Sequence, residues 1–260
     1  MSLIVSLTSH GSRVKTVHLV IESLKCQSYK PDKVILWLNK EEFSSDNLPE
    51  ELSVLQDELF EIRFCTDLKS FTKLVPALKA FPASTIITVD DDSVYHQDLV
   101  ASMWGMHRLY PKSIISPRAR LLRRNGNDFA PYDKWLKMAP RKNIYAKFCL
   151  LPLGFGGVLY PVNSLHADVI REDIFLRVSP HGDDLWFKAM SLLNGTATVF
   201  LANKELFNRN IISGTQSIGL WRTINSDPES NLIQMRKIIG YYPILSSVFS
   251  SKRYNKVRIF

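Results

Sequence analysis

The sequence has few cysteines and no long apolar run, and each of these absences excludes a class of protein. Its three cysteines, Cys26, Cys65 and Cys149, are far apart and form no CxxC pair, so neither a disulfide framework nor a zinc site is expected. We expect small, reduced, buried thiols in a cytoplasmic protein. The most apolar stretch, residues 148–162, is shorter than the roughly 18 residues that span a bilayer and contains two prolines. The first residues also lack the pattern of a signal peptide, so we expect no membrane-spanning segment.

Acidic residues are nearly missing from one region, which is therefore strongly basic. The whole chain carries a net charge of +8, yet residues 108–147 hold eleven Lys or Arg and only two Asp. Residues 241–260 add four Lys or Arg among aromatic and aliphatic residues, with no acid. This concentration predicts a polyanionic partner, namely nucleic acid, an anionic membrane surface or a phosphorylated substrate, and the mixture with apolar residues fits a membrane surface. A solvated basic surface is the alternative. We expect no nucleic acid, because no nucleic-acid-binding motif accompanies the charge.

The order of hydrophobic patterns predicts an α/β fold. Strand patterns alternate with helical ones over the first ninety residues, which favours a mostly parallel sheet covered by helices. Pro76 must lie in the first turn of its helix or kink it. The predicted strands are 3–8, 33–39, 60–65, 84–89, 112–118, 156–161 and 196–202, and the predicted helices are 16–27, 49–59, 70–81, 98–110 and 183–195. No linker separates two independent domains.

Three consecutive aspartates, Asp90, Asp91 and Asp92, follow the strand predicted at 84–89. Ligands bind at the carboxyl ends of strands in open α/β sheets. Residues two apart in an extended segment point the same way, so Asp90 and Asp92 would face one site and Asp91 would not. Carboxylate oxygens without a nearby Cys or His suit Mg²⁺ or Mn²⁺. The alternative is an acidic turn that caps the next helix.

A second acidic pair, Asp183 and Asp184, opens the helix predicted at 183–195. A carboxylate at this place can act as a general base. The alternative is helix capping, since aspartate is favoured at a helix start. His181 lies just before the pair and is either a third metal ligand, a phosphate contact or an ordinary loop histidine.

The chain resembles the GT-A-fold glycosyltransferases, which use nucleotide-sugar donors, and in particular small bacterial enzymes that build capsule or lipopolysaccharide sugars. The resemblance covers residues 2–95 well and residues 150–225 more loosely. It rests on the segments "IVSLTSHGSRVKTVHLVIESLKCQSYKPDKVILWLNKEEF", "SFTKLVPALKAFPASTIITVDDD" and "HGDDLWFKAMSLLNG". It implies a single GT-A (Rossmann-like) domain over 1–260, with a nucleotide-binding half (1–95), an acceptor and catalytic half (96–240) and a basic aromatic tail (241–260).

The resemblance also implies an activity, namely metal-dependent transfer from a UDP-sugar to a saccharide or lipid-linked acceptor, of hexosyltransferase type. The reaction would take place in the cytoplasm or at the inner face of the cytoplasmic membrane, with Mn²⁺ or Mg²⁺ as cofactor. Two other readings stay open at this point, a metal-dependent phosphohydrolase or nuclease and a basic nucleic-acid-binding module.

Individual residues acquire roles from the same resemblance. On the donor side, Thr8 would touch the nucleotide, Arg13 the base or phosphate, and Asp67 the uracil or ribose. Lys73 would contact the diphosphate, and Asp91 is counted among the donor-binding residues. Asp92 would bind the metal, Asp90 would contact the ribose or a metal-bound water, and His181 would be a further metal ligand. Asp184 would be the catalytic base, with Asp183 as the second choice, and an inverting reaction follows. The alternatives are that Thr8 and Arg13 cap the helix near Thr16, that Asp67 is a turn residue, and that Lys73 lies on an exposed helix face.

Aromatic and glycine residues are the candidates for sugar contacts. Trp186 and Trp221 could stack on a sugar ring, although the spacing of Trp186 also fits a core position. Arg209 is a candidate for binding the diphosphate, and it is counted with the residues on the acceptor side of the site. The glycines of "GFGGVLY", residues 154–160, would let the backbone approach the donor sugar, or else pack at a bulge.

Overall fold

A computed structural model of the protein describes residues 2–125, 128–139, 145–207, 210–215, 228–250 and 258–259. Its strands are β1 (Leu3–Thr8), β2 (Lys33–Asn39), β3 (Phe60–Cys65), β4 (Thr85–Thr88), β5 (Ser93–Val94), β6 (Ile114–Ser116), β7 (Ala119–Leu121), β8 (Arg124–Asn125), β9 (Asp128–Phe129), β10 (Leu136–Lys137), β11 (Tyr145–Lys147), β12 (Leu150–Pro152), β13 (Val158–Tyr160), β14 (Thr198–Phe200), β15 (Asn210–Ile211) and β16 (Arg258–Ile259). Its α-helices are α1 (Val17–Lys25), α2 (Glu50–Ser53), α3 (Val75–Ala80), α4 (Leu99–Leu109), α5 (Glu172–Val178), α6 (Asp183–Leu193), α7 (Pro228–Tyr241) and α8 (Ile244–Ser250). Short 3₁₀ helices cover Gly11–Lys15, Ser45–Asn47, Lys69–Lys73, Tyr132–Lys134, Gly154–Gly156, Ala167–Ile170 and Glu205–Phe207.

The main sheet joins strands from both halves of the chain in the order β16-β11-β14-β6-β13-β4-β1-β2-β3. Strands β1 to β4 pair in parallel, and β6 pairs in parallel with β14. Strand β13 lies between β4 and β6 and is antiparallel to both. From β14 to β3 every strand except β13 therefore points the same way. The predicted mostly parallel sheet flanked by helices is confirmed.

Alternate residues of the central strands feed two hydrophobic layers, one on each face of the sheet. In β1, Leu3, Val5 and Leu7 pack with the buried side chains of α1 and α4. Ile4, between them, belongs to the other layer, which contains the apolar faces of α5, α6, α7 and α8. A Leu or Ile that is fully buried in such a layer contributes about 1.5–3 kcal/mol. The apolar residues of β1, which are interrupted only by the buried Ser6, are thus explained by burial on both faces.

The helix predicted at 49–59 is much shorter than expected, since α2 ends at Ser53. The strands predicted at 112–118, 156–161 and 196–202 are also shorter, because β6, β13 and β14 have three residues each. The carboxylate of Asp57 accepts hydrogen bonds from the backbone N–H groups of Leu59 (2.9 Å) and Phe60 (2.8 Å). These bonds fix a tight turn that leads into β3. Side-chain capping of a turn competes with helix here, and the apolar pattern does not reveal it.

The helix predicted at 70–81 is divided into a 3₁₀ helix, Lys69–Lys73, and α3. Pro76 lies in the first turn of α3, as predicted, where its missing N–H breaks no hydrogen bond. The break is anchored to β1, because the hydroxyl of Ser6 donates to the carbonyl of Lys73 (2.6 Å). The indole N–H of Trp37 in turn donates to the Ser6 hydroxyl (3.0 Å). The backbone at Lys73 is therefore held firmly against the sheet.

The cysteines are free, and they differ in burial. Cys149 is buried and Cys65 half-buried, but Cys26 is exposed because it lies just past the end of α1 at the surface. The expectation of buried thiols is therefore wrong for Cys26.

Part of the predicted tail joins the core. Leu245 and Phe249 of α8 are buried, and Phe249 packs edge-on against Phe129 with ring centroids 4.7 Å apart. Within the part of the chain that the structure describes, no helix is long and apolar enough to cross a bilayer.

Lys188 is a lysine of α6 whose side chain is buried in the protein interior. Lys188 is 1% exposed to solvent, and its ammonium group lies 3.4 Å from the hydroxyl of Thr198. Burial lowers the pKa of Lys188 to about 7, and the nearby Cys149 only partly opposes this shift. A charge in such a place is costly unless it is paired.

We expect Lys188→Met to raise the free energy of unfolding at pH 7 by about 1–4 kcal/mol, because an apolar side chain of similar length removes the buried charge. The folded pKa lies below the ordinary value of 10.5, so the penalty on the wild type is complete below about pH 7. It fades as the pH rises toward 10.5, and the advantage of the variant fades with it. Urea unfolding at pH 7 and pH 9 measures both effects. Lys112→Met, at an exposed position, is the matched control and should change stability by less than about 0.5 kcal/mol. A destabilised Lys188→Met would contradict the prediction.

Candidate active site

A cavity of about 1140 Å³ opens where β1 and β4 end. Carboxyl ends of parallel strands are the usual ligand sites of open α/β sheets. The volume exceeds the roughly 300–1,000 Å³ of typical small-molecule sites, so the cavity has room for more than one reactant. Ten of the residues singled out in the sequence line it, namely Thr8, Arg13, Asp67, Lys73, Asp90, Asp91, Asp92, His181, Asp183 and Asp184.

Arg13 spans two of the three consecutive aspartates. Its guanidinium lies 3.1 Å from Asp91 Oδ1 and 3.0 Å from Asp92 Oδ2, and the hydroxyl of Ser9 donates to Asp91 Oδ2 (2.7 Å). Burial raises the pKa of Asp91, although the positive charge of Arg13 opposes the shift. Asp91 thus faces the same cavity as its neighbours, contrary to expectation. The reason is that β4 ends at Thr88, so the alternation of a strand does not extend to the aspartates.

Lys73 bridges the two acidic segments. Its ammonium lies 2.9 Å from Asp90 Oδ1 and 2.9 Å from Asp183 Oδ2, and its side chain is 9% exposed. Burial by itself would lower the pKa of Lys73, but the carboxylates of Asp183, Asp90 and Asp184 outweigh it and raise the pKa well above its ordinary value. Lys73 is therefore a buried cation that ties the end of β4 to the start of α6. It does not lie on an exposed helix face.

Asp184 is oriented by the backbone of the glycine turn. The N–H of Gly154 lies 3.1 Å from Oδ1 and 3.3 Å from Oδ2 of Asp184. The N-cap of α6 is Gly182, and no side chain caps the helix, so capping does not explain the acidic pair. Burial and the neighbouring Asp183 raise the pKa of Asp184 to about 8, while Lys73 opposes the shift. A carboxyl whose pKa lies near neutral pH is suited to general-base catalysis.

Gly154 has no space for a side chain. A Cβ atom there would lie 2.5 Å from the ammonium of Lys73 and 3.2 Å from Asp184 Oδ1. The backbone of the "GFGG" turn therefore approaches the Lys73–Asp184 pair closely. This explains the glycine without a bulge.

Thr8 and Asp67 make local bonds at the rim of the cavity. The hydroxyl of Thr8 donates to the carbonyl of Trp37 (2.9 Å), and Asp67 Oδ1 accepts the N–H of Lys69 (2.7 Å). Lys69 has a φ of 57°, and the Asp67 bond stabilises this turn. Both positions remain open toward the cavity, and their nucleotide roles stay predictions.

His181 lies in the cavity lining next to α7. Its backbone N–H donates to the side-chain oxygen of Gln234 (3.0 Å), and burial, with a smaller effect of Lys69, lowers the pKa of its imidazole. Its Nδ1 atom is buried and has no hydrogen-bond partner among the described residues. The imidazole is thus neutral near pH 7, the form that binds metals.

The donor chemistry of Asp90, Asp91 and Asp92 fits a hard divalent cation, because carboxylate oxygens are the ligands that Mg²⁺ and Mn²⁺ prefer. In this structure the positive charge beside them comes from Arg13 and Lys73. A cation at Asp92 therefore requires the Arg13 guanidinium to give up its ion pair. Among the residues the structure describes, the ligand-type side chains that already converge within 4.8 Å are His96, Asp98 and Glu205, outside this cavity.

Trp186 does not reach the cavity, so its predicted contact with the acceptor is wrong. Its side chain is fully buried, and its indole N–H donates to the carbonyl of Val169 (3.1 Å). It packs in the core beside Phe175, with ring centroids 6.0 Å apart. The core alternative is correct because this position of α6 faces the hydrophobic layer. The other two acceptor candidates, Arg209 and Trp221, lie outside the described residues.

Part of the basic region forms a wall of the cavity, which the sequence analysis missed. Arg118, Arg120, Tyr132 and Lys137 belong to the lining. A usable signal was present, since Arg118 and Arg120 are two residues apart in an extended segment and so point the same way. We name the set of Arg118, Arg120 and Lys137 the basic wall.

No family model and no curated protein matches the chain. Among solved structures, it is similar to residues 1–349 of S. aureus TarS, with 14% identity, a TM-score of 0.54 and coverage of 97% of this chain and 75% of that one. For TarS in complex with UDP the identity is 14%, the TM-score 0.58 and the coverage 98% and 74%. For TarS in complex with UDP-GlcNAc the identity is 13%, the TM-score 0.53 and the coverage 78% and 57%. Likeness at this identity shows the fold alone, which is the predicted Rossmann-like fold with a mostly parallel sheet flanked by helices.

Proposed function

We propose that the protein is a glycosyltransferase that moves a sugar from a UDP-sugar to a hydroxyl group of a saccharide or lipid-linked acceptor. The observation that carries the proposal is the meeting of Asp184, a carboxyl with a pKa of about 8, and the aspartates at the end of β4 in one large cavity. The similar TarS structures contain UDP and UDP-GlcNAc, which supports a nucleotide-sugar as donor.

On the donor side, the nucleotide would lie at the ends of β1 and β3, against Thr8 and Asp67. Arg13 and Lys73 supply positive charge for the diphosphate, since both already sit among the carboxylates there. A Mn²⁺ or Mg²⁺ ion held by Asp90 and Asp92, with His181 as a further ligand, would neutralise charge on the departing nucleoside diphosphate.

On the acceptor side, Asp184 takes the proton of the acceptor hydroxyl. The acceptor oxygen then forms a bond to the anomeric carbon, and the bond from that carbon to the diphosphate oxygen breaks. UDP leaves with the bonding electron pair. A single displacement of this kind inverts the anomeric configuration, and the nearby carboxylates stabilise the oxocarbenium-like transition state.

The proposal includes a role in bacterial surface polysaccharide synthesis at the cytoplasmic face of the membrane. Its support is compositional, namely the cations and aromatic residues of 108–147 and 241–260. A lipid-linked acceptor would bring such segments to an anionic surface.

Two other functions fit the geometry less well. A two-metal phosphohydrolase or nuclease requires carboxylates grouped around two ions. Here the carboxylates are engaged with Arg13 and Lys73. A basic nucleic-acid-binding module gives no reason for a half-buried carboxyl such as Asp184 beside a glycine amide.

Thermal denaturation with UDP, in the presence and absence of Mn²⁺, tests the proposal. We expect UDP with Mn²⁺ to stabilise the protein, by about 2.7 kcal/mol when UDP is at one hundred times its Kd. UDP alone should stabilise it less, since the diphosphate then faces three carboxylates without added cation. Stabilisation by an oligonucleotide but not by UDP would support the binding module instead. Release of phosphate from simple phosphate esters would support the hydrolase.

A further inference from the structure

The basic wall (Arg118, Arg120 and Lys137) brings several cations and no carboxylate to the cavity. The two acidic residues between them point to other partners: Asp128 pairs with Arg236 (2.6 Å), and Asp133 pairs with Lys134 (3.0 Å). Neither is part of the cavity lining. Within the described residues 118–138, the wall therefore presents net positive charge to the cavity.

Arg120 is built into the wall. The residue is only 7% exposed, and its Nη1 atom donates to the carbonyls of Tyr132 (2.9 Å) and Trp135 (3.4 Å). Its guanidinium stacks on the ring of Tyr132, 4.1 Å from the ring centroid. The carbonyls of Tyr132 and Trp135 and the ring of Tyr132 orient the guanidinium, and because none of them is an anion they do not neutralise its charge. Such a cation is pre-organised for a planar or tetrahedral anion.

Arg118 is held by the same turn that orients the base. Its guanidinium lies 5.5 Å from the ring centroid of Phe155. Gly156 makes room for it, since a Cβ atom there would lie 2.1 Å from Arg118 Cγ. Gly154, two residues earlier, donates its N–H to Asp184. The wall and the candidate base are therefore joined through three consecutive residues.

Tyr132 shows that the wall and the base are neighbours in space as well. Burial raises the pKa of Tyr132 to about 12, while Arg120 acts to lower it and Asp184 to raise it. Arg120, Tyr132 and Asp184 all line the same cavity, so the wall and the candidate base face one space. An acceptor bound at the wall would thus present a hydroxyl near Asp184.

We propose that the basic wall binds a phosphate group of the acceptor, so that the acceptor substrate of the transferase is a phosphate-bearing saccharide. Three cations match the charge of a phosphate better than that of a single carboxylate. The donor diphosphate has its own cations, Arg13 and Lys73, which contact the aspartates at the end of β4. This inference rests on the proposed function, because it names the acceptor of that reaction.

The test uses the full chain saturated with UDP and Mn²⁺, titrated calorimetrically with D-glucose 6-phosphate and with D-glucose. We expect the phosphorylated sugar to bind at least about tenfold more tightly, as charge-assisted hydrogen bonds give. We expect Arg120→Gln and Lys137→Gln each to remove most of this preference and to leave the Kd for UDP unchanged. Lys134→Gln is the matched control, because it removes a lysine of the same segment that lies outside the cavity lining. Since Arg120 is buried, the exposed Lys137 provides a variant that does not depend on the folding of Arg120→Gln.

Three results would overturn the inference. The first is equal binding of the two sugars by the wild type. The second is weaker UDP binding by the wall variants, which would assign the wall to the donor. The third is that the wall variants no longer bind vesicles of equal parts phosphatidylcholine and phosphatidylglycerol but still bind D-glucose 6-phosphate as the wild type does, which would assign the cations to a membrane. If UDP itself fails to bind wild-type protein, the proposed function fails first. UDP binding without preference for the phosphorylated sugar refutes the acceptor alone.

Discussion

Replacement of Asp184 by Asn is expected to reduce sugar transfer by at least about 100-fold, the scale of lost general-base catalysis. The amide keeps the shape of the side chain, and its oxygen can still accept the N–H of Gly154, but it cannot take the proton of the acceptor hydroxyl. UDP affinity should stay within a factor of about two, because the proposed nucleotide contacts are elsewhere. Initial rates with a UDP-sugar donor and calorimetric UDP binding measure the two quantities.

Asp173→Asn is the matched control for this variant. Asp173 lies on α5, is exposed and pairs with Arg171 (2.7 Å), outside the cavity lining. Its transfer rate should equal that of the wild type. Wild-type turnover in Asp184→Asn would remove Asp184 from the mechanism.

The same carboxyl predicts the pH dependence of transfer. A general base works in its deprotonated form, and the pKa of Asp184 is raised to about 8. The rate should therefore rise as the pH increases through 8, by about tenfold from pH 7 to pH 9. A pH-rate profile of the wild type checks this, with Asp184→Asn as reference because its residual rate should lack that rise. A rate that falls over the same interval would indicate an acid in place of a base.

Lys73→Met is expected to lower the free energy of unfolding at pH 7 by about 3–5 kcal/mol, the range found when one partner of a buried ion pair is removed. The variant leaves Asp90 and Asp183 without their shared cation. Urea unfolding at pH 7 provides the measurement.

Lys79→Met is the control for Lys73→Met, since Lys79 makes an exposed ion pair with Glu172 (2.6 Å). Exposed pairs contribute about 0–1 kcal/mol, so this variant should lose little stability. Equal losses in the two variants would mean that the buried bridge is no stronger than a surface pair.

The central strand β2 was predictable because burial on both faces leaves a continuous apolar run in the sequence, and the edge strand β3 because its apolar and polar residues alternate. The strands predicted at 33–39 and 60–65 coincide with β2 and β3 to the residue. The short α2 was not predictable in the same way. Its end depends on one carboxylate, Asp57, that binds two backbone N–H groups, and this competes with a helical pattern that otherwise continues.

The acidic residues of the site were recognisable from their places at the end of a strand and the start of a helix. Their partners were not, because the contacts of Arg13 with Asp91 and of Lys73 with Asp183 join segments that are distant in the chain. Pattern analysis has no access to such distances. It also misjudged Trp186, since a tryptophan at helical spacing has the same signature in a core and in a cleft.

The reversed direction of β13 has a consequence for the proposed chemistry. The first residue of β13, Val158, pairs with the last residue of β4, Thr88. The turn that precedes β13 consequently emerges at the sheet edge where β4 delivers its aspartates. A strand of three residues is about 10 Å long, so a β13 of opposite polarity would bring Gly154 out on the far side, beyond reach of Asp184. The direction of this short strand thus decides whether the N–H of Gly154 can reach the carboxylate of Asp184. A rearrangement of β13 would therefore stop proton transfer to Asp184 and leave the nucleotide-binding half unchanged.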